Sequence, residues 1–345
     1  MSGLFRRALA GEVLATPPIW MMRQAGRYHQ PYQRLRRIHS FEALCRTPEL
    51  AAEVAMGPIV DFDFDAAIVF SDLLFPLEVV GFPVSYDDSG PKIQGRLTRT
   101  TPGVDTACQH RVSTPGVEAL SFQWEAVSLT RKMLPPDKGM IGFVGGPWTL
   151  FVYAVCGSHT GSLTAATSAL DLYRAFADRM TPVIEALTAS QLEAGADVVM
   201  IFDTAAGALS PDQFRQAILP DLARLASAFP QRVGYYAKSI TPAHFDATFS
   251  ALAWAGVGFD HHWSLPQVLR DRPTPGFVQG NFDQEMLKRP TAEFSTALDA
   301  FLAPLAALTP EERRGWICGL GHGVLPATPE EHVRQFVRTV RETIR

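Results

Sequence analysis

Val198-Val199-Met200-Ile201-Phe202 is an uninterrupted apolar run, and the polar residue Asp203 follows it directly. Farther along, Ser210-Pro211 places a capping hydroxyl before a proline at the first position of a helix. Ser210 and Gln213 also have the spacing of a capping box, in which each side chain satisfies a free backbone N–H. The stretch therefore predicts a buried strand, a polar turn and a helix, which together make one βα unit.

The same pattern recurs along the chain, where short β-rich runs are each followed by polar residues and then by helical periodicity. Eight such runs are predicted as strands: residues 19–22, 67–70, 141–144, 198–202, 233–237, 256–259, 277–280 and 316–320. Eight strand-helix units fit one α/β domain over residues 1–345, a (β/α)8 or TIM barrel, because this fold usually takes about 250 residues plus insertions. A doubly wound sheet is the weaker alternative, since no GxGxxG loop follows an early strand.

Three other helix starts support this architecture. Thr47-Pro48, Thr241-Pro242 and Thr328-Pro329 each place a hydroxyl before a proline, and Thr328 with Glu331 has capping-box spacing. The longest interruption of the pattern is residues 82–101, which are rich in Gly, Pro and Asp. We expect a hairpin-like insertion there, after the second strand.

Composition narrows the class of partner. The 345 residues are 47% hydrophobic, and the formal net charge of −4 with a pI near 6.1 argues against a general nucleic-acid binder. Residues 1–16 lack the continuous apolar core of a signal peptide, and no apolar run approaches the ~18 residues of a membrane-spanning helix. We therefore expect a cytoplasmic protein with a small-molecule partner and no membrane insertion.

The cysteines are Cys45, Cys108, Cys156 and Cys318, and they are far apart in the sequence with no CxxC pair. This spacing suggests neither a disulfide scaffold nor a sulfur-rich zinc site. We expect mostly buried thiols in a reducing compartment.

Polar side chains follow the predicted strands. In a (β/α)8 barrel the carboxyl ends of the strands form one mouth, where the chemistry takes place. The mouth is predicted to hold Arg23, Arg27, Ser71, Asp72, residues 145–153, Asp203, Thr204, Lys238, residues 260–262, Asn281 and His322. No set of three clustered metal ligands is evident, so we expect no metal.

Two arginines four residues apart favour anion recognition. The guanidinium of Arg23 or Arg27 can bind a carboxylate through a planar fork of donors and stays charged at any working pH. A substrate with several carboxylates would suit this mouth. Each side chain also has a structural interpretation: the arginines could pair with surface acids, Asp72 could cap a helix, and His322 could be a hydrogen-bonded structural residue.

Longer motifs give a specific resemblance. Pro18-Ile19-Trp20-Met21-Met22-Arg23-Gln24-Ala25-Gly26-Arg27-Tyr28 resembles the N-terminal signature of the uroporphyrinogen decarboxylase family, and Gly142-Phe143-Val144-Gly145-Gly146-Pro147-Trp148-Thr149-Leu150 resembles its second signature. Further similar motifs are Phe70-Ser71-Asp72, Phe202-Asp203-Thr204-Ala205-Ala206-Gly207, Gln279-Gly280-Asn281 and Gly321-His322-Gly323-Val324-Leu325-Pro326. They are spread in order over nearly the whole chain.

The resemblance implies a single (β/α)8 barrel that works as a homodimer without metal or organic cofactor. It implies a carboxy-lyase that converts uroporphyrinogen III to coproporphyrinogen III by removing four acetate carboxyls as CO2, on the route to haem and chlorophyll. The substrate-binding residues implied by motif position are Arg23, Gln24, Ala25, Gly26, Arg27, Asp72, Tyr153, Thr204 and His322. The catalytic residues would be Asp72, Arg27 and His322.

In that assignment Asp72 accepts hydrogen bonds from the pyrrole N–H groups. The proton donor stays open between Arg27, a water that Arg27 positions, and His322. Two segments depart from the family pattern. Residues 259–264 carry His261 and His262 where a Leu-Asp-Trp-Thr type sequence is common, and Gly319 stands where Asn is usual.

Two other functions are alternatives to this assignment. A zinc-dependent methyltransferase of the same superfamily would need a His-x-Cys pair with a later Cys, and Lys238 and Ser239 stand at the end of the fifth strand instead. A non-catalytic tetrapyrrole carrier could share the arginines, but it would not need Asp72 at a reacting ring. Metal content separates the first alternative from a decarboxylase, and product formation separates the second.

Overall fold

The computed structural model describes residues 3–87, 90–98 and 116–345. Its main feature is a curled parallel sheet of seven strands, in the order β1, β4, β5, β6, β7, β8, β9. The strands of the described residues are β1 Ala66–Ile68, β2 Val84–Asp87, β3 Gly90–Ile93, β4 Gly139–Gly145, β5 Val198–Phe202, β6 Val233–Tyr236, β7 Gly256–Gly258, β8 Phe277–Phe282 and β9 Trp316–Leu320. Each strand of the main sheet pairs with the next one along the chain, as successive βα units require. The predicted α/β class is confirmed, and the fold is TIM-barrel-like.

The segment around Ile19 lies between the two edges of this sheet. Trp20 donates its amide to the Cys318 carbonyl at 3.0 Å, and the Asp65 amide donates to the Ile19 carbonyl at 2.9 Å. The strand expected at residues 19–22 is nevertheless wrong in its length, because only the single bridge between Ile19 and Cys318 forms. The chain turns at Met21, whose carbonyl accepts a hydrogen bond from the Gln24 amide.

Helices cover the outside of the sheet. In the described part of the chain they are α1 Leu4–Leu9, α2 Gln30–Arg36, α3 Phe41–Arg46, α4 Pro48–Phe62, α5 Pro76–Val79, α6 Ser121–Met133, α7 Pro147–Cys156, α8 Thr164–Thr167, α9 Leu170–Glu193, α10 Pro211–Gln213, α11 Leu219–Ala228, α12 Ala247–Ser250, α13 Leu265–Asp271, α14 Thr291–Ala306 and α15 Glu330–Thr343. Short 3₁₀ turns Val117–Leu120, Ala206–Ala208, Pro242–His244 and Met286–Lys288 and the π-helical stretch Phe214–Ile218 complete the connections. None of the described helices is both long and apolar enough to cross a membrane.

The predicted helix caps divide into two groups. Ser210 forms the expected capping box, with its hydroxyl accepting from the Gln213 amide at 3.2 Å and its amide donating to the Gln213 side chain at 3.0 Å. Thr241 forms a similar box with His244. The hydroxyl caps expected from Thr47 and Thr328 are wrong. Thr47 makes no side-chain cap bond, and α15 begins one residue late, so that Pro329 occupies the cap position.

Along the chain, β2 and β3 come between β1 and β4 and form a separate antiparallel pair. Val84 pairs with Ile93 and Asp87 with Gly90. Of the insertion expected at residues 82–101, residues 88, 89 and 99–101 lie outside the described residues, and so does Cys108. Cys45 and Cys318 are buried, while Cys156 is half-buried.

The sheet separates two apolar clusters, because side chains alternate between the faces of each strand. In β5, Val199 and Ile201 pack outward against the helices, whereas Val198, Met200 and Phe202 point inside the curled sheet. The inner cluster continues toward the carboxyl ends of the strands through Met22, Ile68 and Phe202 and the half-buried Phe143. These four side chains also form the floor of the cavity described next.

Candidate active site

A cavity of about 530 Å³ opens at the carboxyl ends of the strands. This volume is within the range of small-molecule sites. Its walls come from the segment after residue 22, the end of β1, α7, the end of β5 and the segment after β9. The polar and charged side chains that line it are Arg23, Arg27, Tyr32, Arg36, Ser71, Asp72, Tyr86, Asp87, Thr149, Tyr153, His159, Thr204 and His322. Most of the predicted site residues are therefore brought together.

Arg23 and Arg27 stand at the exposed rim of the cavity. Neither forms an ion pair with any carboxylate of the described residues, so both guanidinium groups are available to an anionic ligand. The backbone of Arg23 is left-handed, with φ of 59°, a conformation that costs free energy for a residue with a Cβ. A Cβ at Gly323 would lie 2.4 Å from the Arg23 Cδ, so that only glycine lets the arginine side chain pass.

Gln24 differs from its neighbours in the motif. It is fully buried, and its amide nitrogen donates to the Ala66 carbonyl at 2.9 Å while its oxygen accepts from the Met21 amide at 3.3 Å. The Tyr28 hydroxyl donates a hydrogen bond to the Gln24 carbonyl at 2.7 Å. These polar groups hold the turn that carries Arg23, and the binding of substrate by Gln24 stays a prediction. Ala25 and Gly26 do line the cavity.

Asp72 follows β1 and lies in the wall of the cavity. Its Oδ1 accepts a hydrogen bond from the Leu74 amide at 2.9 Å. Burial raises the pKa of the Asp72 carboxyl, while the Leu74 amide, the Arg23 charge and the nearby Tyr86 hydroxyl act in the opposite direction. The Tyr86 oxygen is itself buried without a well-formed hydrogen bond. A ligand with N–H donors would meet an acceptor-only carboxylate here.

Tyr153 and His159 form a second polar group in the cavity. The Tyr153 hydroxyl lies 2.5 Å from His159 Nδ1. Burial, together with the Arg23 and Lys238 charges, lowers the pKa of His159. Gly157 ends α7 in a left-handed conformation, with φ of 76°, and so turns the chain back toward Tyr153.

Asp203 makes close contacts with Gly146 and Thr149, two residues of the second sequence signature. It is fully buried, and its Oδ1 accepts from both the Thr149 amide and the Thr149 hydroxyl at 2.7 Å. A Cβ at Gly146 would lie 2.3 Å from the Asp203 carboxyl carbon, so glycine is needed for this close approach. Burial raises the pKa of Asp203 to about 6. Asp203 fixes α7 to β5, and its neighbour Thr204 lines the cavity.

His322 follows β9 and lines the cavity. Its Nδ1 lies 3.2 Å from the hydroxyl of Tyr236, and the two rings stack with an interplanar angle of 8°. Burial, followed by the charges of Arg23 and Lys238, lowers the pKa of His322 to about 3. The imidazole is therefore neutral near pH 7.

Several mouth residues prove to be structural. Asp260 is buried and accepts from the Ser239 amide at 2.6 Å, and Asn281 donates to the carbonyls of Asp260 and Trp263, both at 2.8 Å. His261 is half-buried, His262 is exposed, and neither lines the cavity. At Gly319 a Cβ would lie 2.1 Å from the Trp20 carbonyl oxygen, which leaves no room for the side chain usual in the family.

Sequence reasoning missed five of the polar residues that line the cavity: Tyr32, Arg36, Tyr86, Asp87 and His159. Arg36 lies in α2, where an arginine reads as an ordinary surface charge, and Tyr86 lies in β2, within the expected insertion. His159 had a usable signal, because it follows the end of α7 by only three residues. Among the described residues no group of three or more His, Cys, Asp and Glu is placed to hold a metal ion.

Comparisons with known proteins agree with this geometry. The sequence model of the family described as Uroporphyrinogen decarboxylase (URO-D) matches residues 2–343 of the chain. The curated uroporphyrinogen decarboxylase of Coxiella burnetii is 33% identical over 358 residues, covering 98% of this chain and 94% of the relative. That of Salinibacter ruber is 37% identical, covering 97% and 94%. A solved methyltransferase from Methanosarcina mazei matches with a TM-score of 0.77 over 99% of both chains, and at 20% identity this likeness concerns the fold alone.

Proposed function

Because this chain belongs to the uroporphyrinogen decarboxylase family, we propose that its cavity binds uroporphyrinogen III and removes the four acetate carboxyls as CO2 to give coproporphyrinogen III. The activity is that of a carboxy-lyase in tetrapyrrole biosynthesis. The observation that carries the proposal is the placement of Arg23 and Arg27, which pair with no carboxylate of the described residues, at the rim of a cavity whose wall holds Asp72.

The arginines supply the binding of the substrate's carboxylates. Arg23 and Arg27 present planar forks of N–H donors, and a bidentate pair with a carboxylate orients the ligand as well as holding it. Arg36 adds a third guanidinium to the lining of the cavity. Ala25 and Gly26 keep the space between the arginines free of bulky side chains. Tyr153 and Thr204 offer hydroxyl groups to the part of the substrate that lies deeper.

Asp72 takes the role of the charge stabiliser. Decarboxylation needs a sink for the electron pair of the breaking C–C bond, and a pyrrole protonated on a ring carbon supplies one. CO2 then leaves, and the electron pair neutralises the ring cation. A proton taken up at the exocyclic carbon gives the methyl group, and the ring carbon releases the proton that it received, which restores the pyrrole, so that one proton is consumed for each CO2. An ionised Asp72 accepts the pyrrole N–H bonds and opposes the positive charge of the protonated ring.

The environment of His322 reduces the number of candidate donors for the first proton. An imidazole with a pKa of about 3 carries no imidazolium proton near neutral pH, which argues against His322 as the acid. Arg27, or a water that Arg27 positions at the cavity rim, is the donor in our assignment. His322 keeps a binding role.

Three further parts of the proposal concern the whole enzyme. The hydrogen bonds of the Ile19 segment to both sheet edges support an eighth position in a closed (β/α)8 barrel, with the pair of β2 and β3 as part of an insertion. By the family resemblance, the enzyme works as a cytoplasmic homodimer on a small-molecule substrate. The resemblance also implies a reaction that uses no organic cofactor or metal.

The decisive experiment measures CO2 release from uroporphyrinogen III and the intermediates with seven, six and five carboxylates. Asp72→Asn is expected to lower kcat/KM by about 100-fold or more, because it removes the charge that opposes the ring cation. Asp72→Glu keeps the charge and retains more activity. Asp178→Asn, at an exposed carboxylate on α9, is the matched control.

Near-normal turnover in both Asp72 variants would remove Asp72 from the mechanism. Tight binding of uroporphyrinogen by the wild-type protein without CO2 release would instead identify a tetrapyrrole carrier. Arg23→Gln is expected to raise KM more than it lowers kcat, since a carboxylate bound equally in the ground and transition states affects mainly KM. Arg27→Gln should also lower kcat, because Arg27 or the water that it positions is the assigned proton donor.

A further inference from the structure

The hydroxyl of Tyr236 makes two hydrogen bonds inside the curled sheet. It lies 2.7 Å from the Gly321 carbonyl oxygen and 3.2 Å from His322 Nδ1. Tyr236 is fully buried in β6, so no water competes for this hydroxyl. A phenol has one proton, and a carbonyl oxygen can only accept. The Tyr236 hydroxyl therefore donates its proton to the hydrogen bond with the Gly321 carbonyl oxygen.

The direction of this first hydrogen bond determines the direction of the second one, between Tyr236 and His322. With its proton on Gly321, the Tyr236 oxygen can only accept, so His322 Nδ1 must carry the hydrogen that lies between them. In a neutral imidazole one nitrogen bears the proton and the other has the lone pair. His322 Nε2 is then the lone-pair nitrogen. No described residue gives it a hydrogen bond.

The surroundings keep the ring neutral. The groups whose charges act on His322 are Arg23, Lys238, His159 and His261, and each of them disfavours a second proton. The half-buried ring also stacks on Tyr236. Protonation of Nε2 would add a positive charge near Arg23 and Lys238, and no carboxylate is among the groups that act on it.

We propose that Tyr236 is a positioning residue that holds His322 as the Nδ1–H tautomer, so that Nε2 accepts a hydrogen bond from an N–H donor of the substrate. The ligand's identity rests on the function proposed above, whereas the tautomer does not. An acceptor nitrogen cannot bind a carboxylate, which is itself an acceptor. His322 and Asp72, which both line the cavity, thus present acceptors to the pyrrole N–H groups, and the arginines at the rim take the carboxylates.

The tautomer can be measured directly on the full chain labelled with 15N-histidine. Two-bond 1H–15N correlation spectra at neutral pH distinguish a ring nitrogen that bears a proton from one that does not, and His322→Gln identifies the resonances. We expect His322 Nδ1 to be protonated and Nε2 to be unprotonated. A protonated Nε2 in the wild-type protein would overturn the proposal.

Tyr236→Phe tests the role of the hydroxyl. Without it the Nδ1–H tautomer loses its acceptor, and we expect the His322 signals to move toward the Nε2–H form and the KM for uroporphyrinogen to rise several-fold. Tyr235→Phe is the matched control, because the Tyr235 hydroxyl on the same strand faces Asp203 instead, at 3.4 Å. Unchanged His322 signals in Tyr236→Phe would contradict the positioning role. If that variant does not fold, the wild-type spectrum still decides the tautomer.

Addition of coproporphyrinogen III tests the acceptor role. We expect Nε2 to stay unprotonated and its resonance to shift as it gains a hydrogen bond, whereas an unperturbed Nε2 would overturn this part. If the wild-type protein has the expected tautomer but releases no CO2, the proposed function is wrong and the tautomer assignment is still correct. The two failures are therefore distinguishable.

Discussion

The acidity of Asp72 is set by a few side chains that come from different parts of the chain. Burial raises its pKa, and the Leu74 amide, Arg23 and Tyr86 lower it. Leu74 is local in sequence, but Arg23 belongs to the first motif and Tyr86 to β2. The role of Asp72 follows from its motif, whereas its working pH range follows from these neighbours.

Tyr86→Phe is expected to move the acid limb of kcat/KM to higher pH. The Tyr86 hydroxyl lowers the pKa of Asp72, so its removal raises that pKa, and the ionised form needed for catalysis is lost earlier as the pH falls. The loss should be several-fold on the acid limb and small on the plateau. A pH profile of kcat/KM from about 5 to 8 measures it.

Tyr32→Phe serves as the control for this experiment. Tyr32 lines the same cavity, but its hydroxyl is not among the groups that act on Asp72. Its acid limb should match that of the wild-type protein. An equal shift in both variants, or no shift in Tyr86→Phe, would contradict the assignment of that limb to Asp72.

Helix starts show which local signals survive folding. Ser210 and Thr328 have the same sequence pattern, a hydroxyl before proline with Gln or Glu three residues later. Ser210 forms its capping box, whereas the Thr328 hydroxyl is buried without a partner. Two equal patterns thus reach different outcomes, because α15 begins at Glu330 and its first turn lies one residue farther along.

Substitutions at these two positions should therefore have different effects on the free energy of unfolding. Ser210→Ala removes the hydroxyl that accepts from the Gln213 amide and is expected to lower the free energy of unfolding by about 1 kcal/mol. Thr328→Val replaces an unsatisfied buried hydroxyl with a methyl group of similar shape, so stability should stay the same or rise. Urea unfolding of both variants measures the difference. An equal loss in both would mean that Thr328 caps a helix in solution.

The curled sheet depends on Asp65 where its two edges approach each other. Asp65 is buried, and its Oδ2 accepts from the Ile19 amide at 2.8 Å while its own amide donates to the Ile19 carbonyl at 2.9 Å. Lys138 and Arg341 lie 3.9 and 3.6 Å from its carboxyl oxygens. The residue that fastens the N-terminal segment thus also sets the approach of Arg23, four residues after Ile19.

Asp65→Ala is expected to destabilise the protein by about 1 to 3 kcal/mol, because the buried Ile19 amide loses its acceptor. The same change should raise KM, since the segment that carries Arg23 is held less firmly. Asp65→Asn retains an acceptor oxygen and removes only the charge, so it should lose less stability. Thermal unfolding and substrate kinetics together measure both effects. Equal losses in the two variants would show that the charge, and not the hydrogen bond, holds the segment.

Local patterns were enough to predict the strand-helix repeat and the common mouth of Arg23, Arg27, Asp72 and His322. Apolar runs and proline-marked helix starts depend on neighbours in sequence, and in a TIM-barrel-like fold every strand delivers its next residues to one face. The resemblance to the family was readable for the same reason, because its motifs are short and contiguous.

Contacts between distant residues decided the rest. The burial of Gln24, the entry of Arg36, Tyr86 and His159 into the cavity, and the shortening of the strand at residues 19–22 appear only in the folded chain. Tyr236 and His322 are 86 positions apart, and their hydrogen bond depends on the spacing of β6 and β9 inside the sheet. A hydrogen-bond direction, a tautomer or a shifted pKa belongs to atoms that meet in space, so sequence pattern predicts the residue types at the mouth and tertiary structure decides what each one can donate or accept.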